Sequence, residues 1–227
     1  MAVSDTTLLY LEHGTAGREL DALRRDADQD DDAALARRYQ KMNEVLLRTR
    51  LYVLAPLGFS ADEDGLRRYV QAVERTLRRH VASPDSGEMR DIRAAEADTS
   101  RVLLRRAFGV SKAQFLDPAR VRGVVFKYLA NIQRPASLAV AGELSEQHRR
   151  KSTPLPERFT DLLARVMFPA FRTALAEEGL DASQQAAAVA FVSVTLQASA
   201  DPVVANTMNT AVMVLAEKAP FLRGELA

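Results

Sequence analysis

Apolar residues recur along most of this chain at the three- and four-residue intervals of an amphipathic helix. Strand-like alternation is weak, and the β-branched run AVAFVSVTL at 188–196 is too long and too rich in alanine for an ordinary strand. The pattern therefore predicts an all-α bundle of about nine or ten helices, near residues 4–12, 15–27, 33–55, 61–81, 87–108, 118–133, 136–150, 157–178, 182–199 and 202–217.

Capping residues support several of these boundaries. Asp117 and Asp201 each precede a proline, which places an N-cap acceptor before a residue suited to the first helical turn. The string Ser60-Ala-Asp-Glu63 resembles a capping box, and Gly179 is a typical helix stop. These local signals place each helix end to within about 2–4 residues.

The two C-terminal helices are unusual because Asp201 is the only charged residue between Asp181 and Glu217. A surface helix normally has one polar face, so these helices are expected to be covered nearly all round. Two arrangements satisfy this expectation, namely central helices of a bundle and helices buried against another subunit. The polar residues within the stretch argue against a membrane span.

Composition narrows the possible chemistry. The 227 residues are 47% apolar and 27% charged, as in globular proteins, and the lack of cysteine excludes disulfides, zinc-thiolate sites and cysteine nucleophiles. No signal-peptide pattern is present, so a cytoplasmic protein is expected. No phosphate-binding loop, nucleophile elbow or metal-ligand spacing occurs, so the sequence predicts neither a cofactor nor a metal and favours a non-enzymatic role.

Charge is distributed unevenly behind a net value of +1. Residues 1–35 carry 3 basic and 9 acidic side chains, whereas residues 98–151 carry 11 basic and 4 acidic ones. This gradient suggests an acidic N-terminal arm at 1–35, a basic helical lobe at 36–151 and an apolar C-terminal lobe at 152–227. A two-lobed chain joined near 151–157 and a single compact bundle are both consistent with it.

A stripe of cations marks the helix at 118–133. Arg120, Lys127 and Arg134 lie seven residues apart and project from one side. Tyr128 and Phe126 beside them offer rings for stacking on a base if they reach the groove. If these cations are bare, they form a surface for the phosphates of RNA or another single strand. The predicted nucleic-acid contacts also include Arg101, Arg105, Arg106, Arg149, Arg150 and Lys151. The alternative interpretation is a solvated face paired with acidic residues of the same chain.

Two functions follow from these patterns. The first is a self-associating helical protein that binds nucleic-acid backbone, as a nucleocapsid or coat protein does, with a homo-oligomer and RNA as partners. The second is a helical sensor or regulatory domain with an apolar ligand pocket between the C-terminal helices. Adaptable side chains suited to such a pocket are Met208, Met213, Phe191 and Val194.

Overall fold

Helices form the described part of the chain, which the computed structural model gives as residues 2–25, 31–80, 98–99, 101–110, 115–198 and 201–224. No strand occurs among these residues, and the all-α prediction is confirmed. The helices are α1 (Ala2–His13), α2 (Thr15–Arg25), α3 (Asp32–Leu54), α4 (Glu63–His80), α5 (101–108), α6 (Pro118–Ile132), α7 (Pro135–Lys151), α8 (Leu155–Leu162), α9 (Phe168–Glu177), α10 (Gln184–Ala198) and α11 (Pro202–Lys218). Short 3₁₀ turns follow α3 and α11 (Ala55–Leu57, Pro220–Gly224), and a π-helical turn, Leu163–Met167, joins α8 to α9.

Side-chain caps fix the helix starts largely as expected. The Asp117 carboxylate accepts a hydrogen bond from the Arg120 N–H at 3.0 Å, and Asp201 accepts one from the Val203 N–H at 2.9 Å. The capping-box expectation at Ser60 is wrong by two residues. Asp62 accepts from the Gly65 N–H at 2.7 Å, while the Ser60 hydroxyl donates to Asp62, so the aspartate is the cap. The first part of the helix expected at 87–108 lies outside the described residues.

The chain divides into two compact units. The first contains Met1–Arg25 and Lys41–Gly109, and the second contains Asp26–Gln40 and Val110–Ala227, so α3 contributes to both. This division differs from the three segments suggested by the charge gradient. Around 151–157 the chain makes a tight corner, because the buried His148 ring of α7 lies 3.3 Å from the Asp161 carboxylate of α8 and Arg158 bonds the Thr153 carbonyl at 2.5 Å.

In the first unit, α1 and α2 pack through buried leucines such as Leu11 and Leu20. Gly17 is needed here because a β-carbon at this position would collide with the backbone carbonyl oxygen of Leu11 and would lie 2.7 Å from Nη1 of Arg106. The arginine uses this space to reach Asp21, at 2.7 Å, and the carbonyl of Glu12. The acidic N-terminal segment therefore receives a cation from α5 within this unit.

The second unit is built around α6, which packs against α9, α10 and α11. Its core contains a cluster of aromatic rings in edge-to-face contact, with centroids 5.0–6.5 Å apart. Such contacts add specific geometry to the burial of apolar area. The rings belong to Tyr39, Tyr128, Phe168, Phe171 and Phe191.

The two uncharged helices differ in their burial. Seven residues of α10 are buried, including Ala187, Ala190 and Val194, so the expectation of a covered central helix is confirmed for α10. On α11, Val203 is 44% exposed and Met213 is 55% exposed. The second uncharged helix therefore has an open outer face.

Candidate functional site

The expected bare cations on α6 are paired with carboxylates of the same chain. Lys127 Nζ lies 3.0 Å from Glu178 Oε1, and Arg134 Nη2 lies 2.7 Å from Glu177 Oε1. Arg120 lies 3.6 Å from Asp117, its own helix cap. The prediction that these three side chains line an open groove is therefore wrong.

The pairing has a clear physical cause. Lys127 also donates to the Glu177 carbonyl at 2.5 Å, and Asn131 between the cations donates to the Ala170 carbonyl and to Glu177, each at 3.3 Å. Cations at the C-terminal end of α9 complement its exposed carbonyls and the helix dipole. We call this group the α6–α9 clasp; its members are Lys127, Asn131, Arg134, Glu177 and Glu178.

Three more of the predicted nucleic-acid contacts lie on α5 in the first unit, and each has an acidic partner there. Arg106 pairs with Asp21, Arg105 Nη2 lies 3.9 Å from Glu12, and Arg101 pairs with Asp98 one turn earlier. Arg106 is also largely buried, with a side chain only 21% exposed. This arginine is therefore a structural contact rather than a free cation.

The basic end of α7 is only partly neutralised. Arg149 and Arg150 both bond Glu146, at 2.8–2.9 Å, and these hydrogen bonds lower the pKa of the Glu146 carboxyl below its usual value. Both arginines remain more than 70% exposed. Lys151 is exposed as well.

Tyr128 does not present its ring to a ligand. It is 2% exposed, packs edge-on against Phe171 at 5.8 Å, and burial raises the pKa of its phenol well above the ordinary value. The exposed ring on α6 belongs to Phe126, which is 52% exposed. The expectation that Tyr128 stacks on a base is therefore wrong. Nucleic-acid binding itself stays a prediction, without the bare α6 cations and the Tyr128 ring that suggested it.

A different feature of the second unit has the form of a ligand site. A cleft of about 420 Å³ opens where the end of α9 meets the start of α10 and the segment before α6. Its walls are mainly apolar, with polar groups confined to the turn that precedes α10 and its first residues. The lining residues are Leu116, Leu175, Leu180, Asp181, Ser183, Gln185, Ala186, Val189 and Ala190.

Local sequence explains why the chain leaves this space. Gly179 has φ of +68°, which ends α9 in the left-handed region and turns the chain away before α10 begins. Leu116 is fixed against α10 by a hydrogen bond from its N–H to the Ser193 hydroxyl at 2.8 Å. Alanines on the facing side of α10, Ala186 and Ala190, are too small to fill the gap.

The polar rim is organised by an aspartate–serine turn. Oδ1 of Asp181 accepts from the Ser183 N–H at 2.9 Å, and Oδ2 accepts from the Ser183 hydroxyl at 2.8 Å. These bonds hold the pKa of the Asp181 carboxyl below its usual value, so the group is ionised at neutral pH. The cleft thus combines an apolar floor with one negative charge at its edge.

The cleft beside α10 is not the pocket that was predicted between the two C-terminal helices. Its lining contains no residue of α11 and none of the predicted residues Met208, Met213, Phe191 and Val194. Met213 faces outward, whereas Phe191 belongs to the aromatic core. The residues predicted for an apolar pocket are therefore wrong for this cleft.

A second cleft of about 400 Å³ lies in the first unit, between α2 and α3. Tyr10 and Tyr52 meet edge-to-face across 5.1 Å at its border, and their hydroxyl hydrogen bond raises the pKa of Tyr10. Arg48 and Glu19 close another side with an ion pair of 2.5 Å. The polar side chains at the border of this cleft are thus already paired with one another.

Among the described residues, no group of three or more histidines and carboxylates is arranged to hold a metal ion. No single helix in the described ranges is long and apolar enough to cross a membrane, and α10 with α11 meets that requirement only as a pair bent by 114°. No known protein family, curated protein or solved structure matches this chain.

Proposed function

We propose that the second unit binds a small, largely apolar organic ligand in the cleft beside α10 and acts as a helical sensor or regulatory domain. The observation that supports this proposal is the cleft itself, with a volume of about 420 Å³. Ligand sites in proteins have volumes of about 300–1,000 Å³ and are lined mainly by apolar groups with a few polar ones. The cleft agrees with both properties.

Its position also suits a sensor. The lining joins three parts of the unit, represented by Leu116 before α6, Leu175 on α9 and Val189 on α10. Leu175 and Val189 are at most 8% exposed and extend into the core. A ligand that contacts all three parts favours the arrangement in which they are held together, and its binding free energy shifts that equilibrium. The cleft therefore provides a physical connection between ligand binding and the packing of α10.

A fluorescent binding assay tests the proposal directly. N-phenyl-1-naphthylamine, a neutral apolar fluorophore, is expected to bind the wild-type protein saturably and with increased emission. Ala186→Leu fills the cleft from α10 and is expected to weaken binding about tenfold or more. Ala139→Leu makes the same chemical change at an exposed position on α7 and serves as the matched control.

The outcomes separate the cleft from nonspecific hydrophobic adsorption. Retention of binding in Ala139→Leu with its loss in Ala186→Leu supports the proposal. Absence of saturable binding to the wild-type protein, or equal binding by both variants, contradicts it. Circular dichroism of each variant establishes that the fold is retained.

A further inference from the structure

Asp181 is the one charged residue in the lining of the cleft beside α10. Its two oxygens accept two hydrogen bonds from Ser183, at 2.9 and 2.8 Å. An ionised carboxylate has about four acceptor positions, so two remain for another donor. Asp181 is exposed and belongs to the lining of the cleft.

The charge of Asp181 also lacks a cation. Within the described ranges, no lysine, arginine or histidine lies within ion-pair distance of it. Neighbouring carboxylates differ in this respect, because Glu177 pairs with Arg134 and Glu178 pairs with Lys127. The clasp thus holds two nearby cations on the other two carboxylates. Arg172 donates to the Ala182 carbonyl at 2.7 Å and pairs with Asp32 at 3.2 Å, so Asp181 has no ion-pair partner of its own among the described residues.

An anionic ligand does not suit this arrangement. The N-terminal end of a helix ordinarily favours anions, but the first turn of α10 is already capped, with the Ala186 N–H 3.4 Å from the Ser183 hydroxyl. The Asp181 charge stands at the same helix end and repels a second negative group. The electrostatics of the rim therefore favour a positive charge in the ligand.

We infer that the cleft selects amphiphilic cations, with a protonated amine at the Asp181 carboxylate and an apolar body against Leu116, Leu175 and Val189. This inference rests on the proposed ligand-binding function and specifies the chemical class of the ligand. The apolar body gains from burial in the cleft, while the amine gains a charge-assisted hydrogen bond at the rim. Because the carboxylate is exposed, solvent screens the attraction, and a preference of about 2–5-fold over a neutral analogue is expected.

A matched series of ligands measures this preference. Octylamine, octanol and octanoate have the same alkyl chain and differ only in the charge of the head group. Isothermal titration calorimetry below the micelle concentration gives the dissociation constant of each. The wild-type order of affinity is expected to be amine, then alcohol, then carboxylate.

Two variants assign the preference to the rim. Asp181→Asn removes the charge but keeps an oxygen that accepts from the Ser183 N–H, so the turn is retained and the amine should bind no better than the alcohol. Asp181→Ser is a second neutral variant with a capping oxygen, in case the amide disturbs the turn. Glu217→Gln removes one exposed carboxylate on α11, away from the cleft, and should leave the preference unchanged.

The results distinguish this inference from the proposed function. If octanol binds as tightly as octylamine, or if the neutral variants keep the preference, the inference is overturned while ligand binding in the cleft stands. If Glu217→Gln also loses the preference for the amine, the preference is due to the net charge of the protein, and the inference is overturned. If none of the three compounds binds the wild-type protein, the proposed function fails and the inference fails with it.

Discussion

Neutralising Lys127 tests the α6–α9 clasp, and Lys127→Met is the suitable change because methionine keeps most of the aliphatic stem. The lysine donates to the Glu177 carbonyl at 2.5 Å and pairs with Glu178 at 3.0 Å. Arg120→Met provides a matched control, because Arg120 belongs to the same stripe but reaches only Asp117, at 3.6 Å.

The structure predicts unequal costs for these two changes. A hydrogen bond to a charged group contributes about 1.5–3 kcal/mol to stability when it is well shielded. The side chains of Lys127 and Glu178 are 36% and 26% exposed, so screening reduces the expected loss to about 1–2 kcal/mol. The side chains of Arg120 and Asp117 are 58% and 57% exposed, and the loss of such a pair costs about 0.5 kcal/mol or less.

Urea unfolding followed by far-ultraviolet circular dichroism measures the free energy of unfolding of each variant. The comparison is valid if the free energy falls with urea concentration at the same slope in each protein. A double-mutant cycle with Glu178→Gln should give a coupling free energy of at least about 0.5 kcal/mol with Lys127→Met. Equal destabilisation by Lys127→Met and Arg120→Met, or a coupling free energy of zero, would refute the clasp as a stabilising contact.

Three further predictions concern stability, pH and nucleic acid. Gly142→Ala should raise the free energy of unfolding by about 0.5–1 kcal/mol, because a β-carbon there meets no atom within 4 Å. Gly123→Ala should gain less, because its β-carbon would lie 2.9 Å from Cδ of Glu178 and still closer to Oε1 of that carboxylate, and thermal unfolding compares the two variants. Hydrogen bonds from the Arg122 guanidinium and the Val203 N–H lower the pKa of Asp201 below its usual value of 3.8, so the ionised carboxylate stabilises the fold above that pH and loses this effect as pH falls through the folded pKa. The difference in free energy of unfolding between the wild-type protein and Asp201→Asn should therefore shrink below about pH 4, and a difference that stays constant with pH would contradict this. In about 50 mM salt we expect no saturable binding of a fluorescent oligouridylate. If the wild-type protein does bind it, and the triple change of Arg120, Lys127 and Arg134 to glutamate abolishes that binding, the nucleic-acid hypothesis is restored.

Local chemistry explains why the helices could be predicted. The caps at Asp117 and Asp201 act within three residues, and Gly179 ends α9 through its own φ, so a short window of sequence contains each signal. The error at Ser60 has the same origin. Two acceptors, Ser60 and Asp62, stand two residues apart, and the sequence does not say which will reach the helix N–H groups.

Long-range pairing explains why the site could not be predicted. Lys127 meets a carboxylate 51 positions later in the sequence, and periodicity within one helix has no information about such a partner. One signal was nevertheless available. Glu177 and Glu178 end a helix, where negative charge is unfavourable, so they require cations from elsewhere in the fold. A stripe of cations on one helix and a pair of acidic residues at the unfavourable end of another together indicate that the two helices contact each other. They do not indicate two separate charged surfaces.

Asp201, the one charged residue between Asp181 and Glu217, interacts with both α11 and α6. Asp201 is 5% exposed, caps α11 through the Val203 N–H and accepts from Nε of Arg122 at 2.6 Å. A charge elsewhere on the buried face of α10 would lie in the core without a partner, which is costly. The lack of charge in α10 is therefore explained by packing, while the cleft is explained by small residues at its start. Because Ala186 is only partly buried and lines the open cleft, a larger side chain at 186 should leave the core intact and remove the ligand site.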